Sequence, residues 1–283
     1  LYQGLPTLDN FDSSTVSITS NSTTVRSQNY SAIVGLVYQD KYILDGLWRN
    51  DGSSLFGPDN KWNSYYRVSG AWRISEDFTI PGVDELKLNV ALGTAGQRPG
   101  FNWQYEQTNL SGGSLSSSRL KGNPALKPSE TSEIEFGVTA SFGDSRYTLD
   151  AAYSDVSTVD QFMAIGLFAP KEAGKNLQWQ NVGDLEATTI EAAFRADILR
   201  DSELKWNAGI TYTSSESKIV KLNTAKQQVG VNGLFLLQTD TEFGSMWGRS
   251  FVYDLTTMAK QLPAGDAIGD YSLNSDGLVV KTA

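Results

Sequence analysis

Between Glu133 and Val156 the chain reads EIEFGVTASFGDSRYTLDAAYSDV, and no other stretch restricts the fold as much. Ile134, Phe136, Val138, Ala140 and Phe142 share one face of an extended chain, and Glu133, Glu135, Gly137, Thr139 and Ser141 share the other. After Gly143-Asp144-Ser145 the alternation resumes, with Tyr147, Leu149, Ala151 and Tyr153 opposing Thr148, Asp150, Ala152 and Ser154. Period-two alternation on both sides of a tight turn is the signature of an antiparallel hairpin. Each arm is about twice the ordinary strand length of 5–6 residues.

The rest of the chain repeats the pattern. Tyr30, Ala32, Val34, Leu36 and Tyr38 share a face, followed by a turn at Asp40-Lys41 and then Tyr42, Leu44, Gly46 and Trp48. Strands are expected again at 65–75, 86–92, 130–156, 190–198 and 204–212, and clear strands lie within 28–217. Val16 and Ile18 suggest a further ladder, and 218–283 reads as loop-rich with less distinct strands. Short turns at 40–41, 76–84, 143–145 and 200–202 alternate with longer connections at 51–63, 96–129, 157–186 and beyond 217. All short turns then lie at one end of the sheet and all long loops at the other, as in outer-membrane barrels. A soluble β-sandwich also alternates, but long strands, repeated loop asymmetry and aromatics in the apolar rows favour a transmembrane barrel. The aromatic fit is imperfect. Tyr42 and Trp48, or Tyr66 and Trp72, lie about 20 Å apart along a strand, too close for opposite girdles of a ~25 Å band.

Composition removes several alternatives. The 283 residues include no Cys and no His, so disulfides, thiol chemistry and histidine-based triads or zinc sites are excluded. No catalytic residue, metal site or cofactor is expected. The formal net charge is −9, which disfavours nucleic acid as a partner and anionic lipid as the main one. The mean hydropathy of −0.30, with no apolar run of 18 residues, argues against a transmembrane helix. It leaves a barrel open, because every second residue of a barrel strand is polar. Arg49, Arg67, Arg73, Lys87, Glu133, Glu135, Asp150, Glu191, Arg195, Asp197 and Lys205 would then line a wet lumen or pair along its wall.

Four segments carry a family resemblance. KYILDGLWRNDGSSLFGPDNKWNSYYRVSGAWRISEDF (41–78) resembles the SusC/RagA-like TonB-dependent transporters, whose barrels carry a segment like RDGSSRFGPDNRW before a strand ending in GWRISEE. The sequence departs from that pattern near Asn50 and at Leu55, where Arg is common. LKLNVALGTAGQRPG (86–100), GNPALKPSETSEIEFGV (122–138) and NVGDLEATTIEAAF (181–194) are similar to the family's next strand and loop, its NPxLKPE motif and its NVG strand start. The resemblance implies an all-β antiparallel transmembrane barrel of 22 strands with a plugged lumen, of which 1–283 would be an interior portion. The chain begins on LYQGLPTLDNF and ends on DGLVVKTA, and no plug is recognisable, so a slice of one barrel domain is expected.

The resemblance further implies import of an oligosaccharide or peptide across the outer membrane. The implied partners are outer-membrane lipid, a SusD-like surface lipoprotein lid, and TonB acting through the plug. The competing functions are a structural or attachment barrel, an outer-membrane enzyme and a soluble adhesion domain. The ligand-contact candidates are Arg98, Phe101, Trp103 and Tyr105 in the 96–129 loop, because spaced aromatics beside a cation suit sugar stacking. Packing beneath the loop would account for the same aromatics. Sequons at 21–23, 29–31 and 109–111 carry little weight in a bacterial barrel. SLNSDG (272–277) lacks the bidentate Glu of a calcium loop and reads as an Asp-Gly turn.

Overall fold

The structure, a computed structural model, describes residues 10, 22–57, 60–172, 174–200 and 203–282. The expected ladder at Val16 and Ile18 and part of the 200–202 turn lie outside the described residues. Contacts divide the chain into two units, residues up to 226 with 238–243, and 227–237 with residues from 244 onward.

The first unit is a single antiparallel sheet. Its strands are β1 (Ser27–Tyr38), β2 (Tyr42–Ser53), β3 (Trp62–Arg73) and β4 (Val83–Gln97). A small hairpin, β5 (Thr108–Ser111) with β6 (Ser114–Ser117), and a two-residue β7 (Leu120–Lys121) precede β8 (Ser129–Phe142), β9 (Tyr147–Gly166), β10 (Leu177–Leu199) and β11 (Trp206–Leu222). In the second unit, β12 (Gln227–Val229) pairs with β13 (Phe235–Leu237). β14 (Thr241–Glu242) returns to the first sheet beside β11. The strand order is β1-β2-β3-β4-β8-β9-β10-β11-β14, with β7 running parallel to β10 off the path. Every long strand therefore pairs with the next long strand in the chain, and the first edge, β1, carries no neighbour among the described residues.

Register places one kind of side chain on each face. Leu88–Val138–Ala151–Ala192–Tyr212 and Val90–Phe136–Tyr153–Ile190 form continuous cross-strand rows. Many of these apolar side chains are exposed, Ile210 by 68% and Phe136 by 50%. A sandwich would cover them with a second sheet; in this unit the face stays open, as lipid-facing residues do. The apolar rows run along β8 from Ile134 to Phe142, about 27 Å of strand. Tilted by 35–45°, that is roughly 19–22 Å of height, close to the ~25 Å apolar band of outer-membrane barrels. The next row on the same face, Thr94–Ser132–Ser157–Glu186, is polar and ends the band.

At the short-turn end, aromatics gather along the band's edge. Tyr38 stacks on Tyr42, Tyr42 on Trp72, and Phe78 meets Trp72 edge-on, at centroid separations of 6.3–6.4 Å. Asp77, on the turn after β3, accepts hydrogen bonds from Lys41 Nζ (2.7 Å), Tyr42 OH (2.6 Å) and Trp72 Nε1 (2.9 Å). Those three charge-assisted bonds hold its carboxyl down at a pKa of about 2. Aromatic bodies in the band with polar tips turned to water are an interfacial anchor.

The connections differ from the sequence expectation in two places. Most of 157–186 is strand: β9 has 20 residues and β10 has 23, leaving only 167–176 between them. Their pairing shifts register between Asn181 and Gly183 and again between Gly183 and Leu185. Bulges reverse which residues face outward, so period-two alternation is lost where the strands persist. The 96–129 segment, expected as a long loop, contains the β5–β6 hairpin, turned by Gly112 and Gly113 at φ 53° and 77°. Short and long connections still alternate between the two ends.

The second unit is small. Asp254 caps helix α1 (Leu255–Ala259) by accepting from the Thr257 N–H at 2.6 Å. β15 (Tyr271–Leu273) pairs with β16 (Val279–Lys281). The 272–277 stretch covers the end of β15 and most of the turn of that hairpin. Asn274 Oδ1 accepts from the N–H groups of Asp276 and Leu278, which is turn chemistry rather than cation ligation.

Candidate functional site

The buried core of the first unit lies at the long-loop end rather than across the sheet. Phe56, Tyr65, Leu126 and Val182 are buried hydrophobics, and Pro99 and Ser129 are fully enclosed. Apart from Tyr65 on β3, these residues come from four separate stretches: 51–57, 96–104, 122–130 and 181–184. The stretches meet through backbone contacts that only glycine permits. A Cβ on Gly57 would stand 2.3 Å from the Pro124 carbonyl oxygen, and one on Gly122 would stand 2.4 Å from the Tyr105 carbonyl carbon.

Side-chain amides complete the joints. Asn181 Nδ2 donates to the carbonyls of Lys127 (3.0 Å) and Asp160 (2.7 Å), and Asn181 Oδ1 accepts from the Lys127 N–H (3.0 Å). Asn123 Nδ2 donates to the Trp179 carbonyl at 2.8 Å, and Gln104 Nε2 to the Ser54 carbonyl at 2.9 Å. On the outer part of the loop, Lys121 pairs with Glu172 and Lys175 with Glu106. The Lys175 ammonium, then the Gly122 N–H, hold the Glu106 carboxyl below its ordinary range. The β5–β6 hairpin therefore projects from a base joined to the 167–176 connection.

The four sequence candidates have different surroundings. Trp103 packs against the sheet, stacked on Trp179 at 3.7 Å and edge-on to Phe162 at 5.4 Å. Phe101 and Tyr105 are exposed by 39% and 56%, and Arg98 is exposed beside them in the chain. The intervening Gln104 is buried and turned toward Ser54. Residues 101–105 form a turn and bends rather than strand, so their alternation is not the pleat of a sheet.

Two features were not found from the sequence. On the polar face, Glu135, Asp150 and Glu191 line a hollow of about 330 Å³ with Asn89, Thr139 and Thr211. The hairpin alternation placed these carboxylates on one face; their convergence depends on the β8–β9–β10 register. On the apolar side, beyond the band, a notch of about 540 Å³ lies among Arg26, Gln28, Gly52, Lys61, Trp62 and Tyr105. Among the described residues no group of acidic side chains is arranged to hold a metal ion, and no helix is long and apolar enough to cross a membrane.

Residues 2–275 match the family model described as TonB dependent receptor-like, beta-barrel. The chain is 28% identical over 230 residues to TonB-dependent receptor P26 of Formosa agariphila, covering 77% of this chain and 23% of that protein. It is 27% identical over 212 residues to TonB-dependent receptor SusC of Bacteroides thetaiotaomicron, covering 69% of this chain and 20% of that one. The solved RagAB peptide transporter superposes with a TM-score of 0.72 at 21% identity, over 82% of this chain and 26% of its own, which is a likeness of fold. The chain thus spans about a quarter of the length of the relatives it matches.

Proposed function

This chain belongs to the TonB-dependent receptor-like β-barrel family, an outer-membrane family, and on that premise we propose that it serves the import of a large solute, an oligosaccharide or a peptide. It supplies barrel wall and external loops, and 1–283 forms part of one barrel domain. TonB acts through a plug, and a SusD-like lipoprotein closes the external mouth. The observation that carries the reading is the consolidated long-loop end, where four family-like segments lock a projecting hairpin onto the wall. A structural or attachment barrel has no need of so fixed a base.

In this reading Trp103 anchors the loop on Trp179, Arg98 and Phe101 present a cation and an aromatic face to the solute, and Tyr105 turns to the notch beside Trp62. Exposed aromatics stack on sugar rings or peptide side chains at low entropic cost. The test is the intact outer-membrane protein with 107–118 replaced by a short Gly-Ser bridge, and separately with Phe101→Ala. Uptake of labelled oligosaccharide and peptide pools is expected to fall at least about tenfold with normal barrel assembly, as loss of a stacking contact implies. Unchanged uptake of every pool would remove these residues from the transport path.

A further inference from the structure

Beyond the apolar band, on the side of the sheet that faces lipid, the notch at the ends of β1, β2 and β3 brings two cations together with an indole. In the register, Gln28 stands beside Gly52 and Gly52 beside Trp62. Tyr30 and Trp62 carry the parity of the lipid-facing rows and stack at 5.8 Å. A Cβ on Gly52 would come within 2.8 Å of the Trp62 ring, so the glycine lets the indole lie flat against the strand. The Arg26 N–H donates to Ser54 Oγ and the Ser54 N–H to the Arg26 carbonyl, which fixes the backbone at the notch wall. Arg26 and Lys61 are exposed and line the same notch. Among the described residues neither has an ion-pair partner, whereas the chain as a whole is strongly acidic.

Height identifies the occupant. From the last apolar row, Trp48–Tyr66, to the Gly52–Trp62 row is four residues, about 13 Å along the strand and roughly 10 Å along the membrane normal. That is the headgroup level of the outer leaflet, where basic side chains meet anionic lipid. A solute in the lumen would approach the opposite face.

We propose that Arg26, Lys61 and Trp62 form a binding site for the phosphorylated sugar headgroup of an outer-leaflet glycolipid. The two cations take the phosphate, and the indole takes the ring face of the sugar.

The experiment uses the intact outer-membrane protein in detergent, with bisphosphorylated lipid A and its dephosphorylated form as probes and native mass spectrometry as the readout. Wild type is expected to retain the phosphorylated probe, with retention falling as salt rises. Arg26→Gln with Lys61→Gln is expected to lose about tenfold or more of that retention, the scale set by two basic groups at an anionic surface. Arg26→Lys with Lys61→Arg should restore it, and heat-modifiable migration checks the fold of each variant. Equal retention by the Gln variant, or equal retention of the dephosphorylated probe by wild type, overturns the proposal. So does displacement of the phosphorylated lipid by a soluble polyuronate oligosaccharide, which would assign the notch to a solute. The salt dependence in wild type keeps the test decisive if the Gln variant does not assemble.

Discussion

Two glycines of the first unit, Gly46 within β2 and Gly57 in the connection after it, meet opposite surroundings. Gly57 presses on the Pro124 carbonyl, whereas an added Cβ on Gly46 would meet nothing within 4 Å. Gly57→Ala is therefore expected to destabilise the protein by about 1–3 kcal/mol, the usual cost of overpacking, and Gly46→Ala to leave it nearly unchanged. Denaturant midpoints of the two variants measure the difference. Asp77 makes a second prediction, in pH. Its carboxyl sits at about 2 against an ordinary value of 3.8. A depressed carboxylate contributes its tie fully above the unfolded value and loses it as pH falls through the folded one. The Trp72 fluorescence of the assembled protein should thus stay constant down to about pH 4 and change as pH falls toward 2. In Asp77→Asn that acid transition should be absent; its persistence would show that another group is responsible.

The β9–β10 pair shows where sequence reading succeeds and where it ends. The alternation of Tyr147, Leu149, Ala151 and Tyr153 against Thr148, Asp150, Ala152 and Ser154 found the lower half of β9, because every second residue there meets lipid. Above Val156 the strand leaves the band, Phe162, Met163, Ala164 and Ile165 follow one another with no polar residue between them, and the bulges around Gly183 and Asp160 invert the parity. Nothing periodic remains, yet the ladder continues to Gly166. The site was half legible for a related reason. Aromatics in 101–105 marked the loop, but Trp103 on Trp179 and Gln104 on Ser54 are contacts between distant stretches that no local pattern encodes. Asn181 is the residue on which the joint turns, since its amide satisfies three backbone groups at once. Asn181→Ala is expected to cost about 1–3 kcal/mol through the loss of three hydrogen bonds at exposed and half-buried positions. It should also open 122–130 to limited proteolysis while β8–β9 pairing, followed by hydrogen exchange, stays protected. Equal cleavage of variant and wild type would place the joint elsewhere.

Across the whole molecule, barrel class and strand polarity followed from face alternation and loop asymmetry, while the resemblance supplied the plug, the lid and the strand number. The sheet of the first unit does not close on itself: β1 is exposed along its full length, and β11 is covered only where β14 meets it near Lys218 and Ile219. Open strand edges recruit other strands. Residues 1–283 expressed alone are therefore expected to migrate on gels without the heat-dependent shift of a closed barrel and to aggregate when detergent is diluted. A sharp heat-modifiable band at 30.9 kDa would contradict this.

The order of the long strands along the sheet repeats their order along the chain. Pairing of that kind needs only short loop closures, so the wall can be delivered to the membrane one hairpin at a time, each arrival templated by the strand before it. The joints at the long-loop end behave otherwise. Gly57 against Pro124, Asn123 against Trp179 and Asn181 against Lys127 each connect hairpins that arrive separately. They can form only after the later hairpin is in place, so they work as a ratchet, making each completed addition harder to reverse than the last.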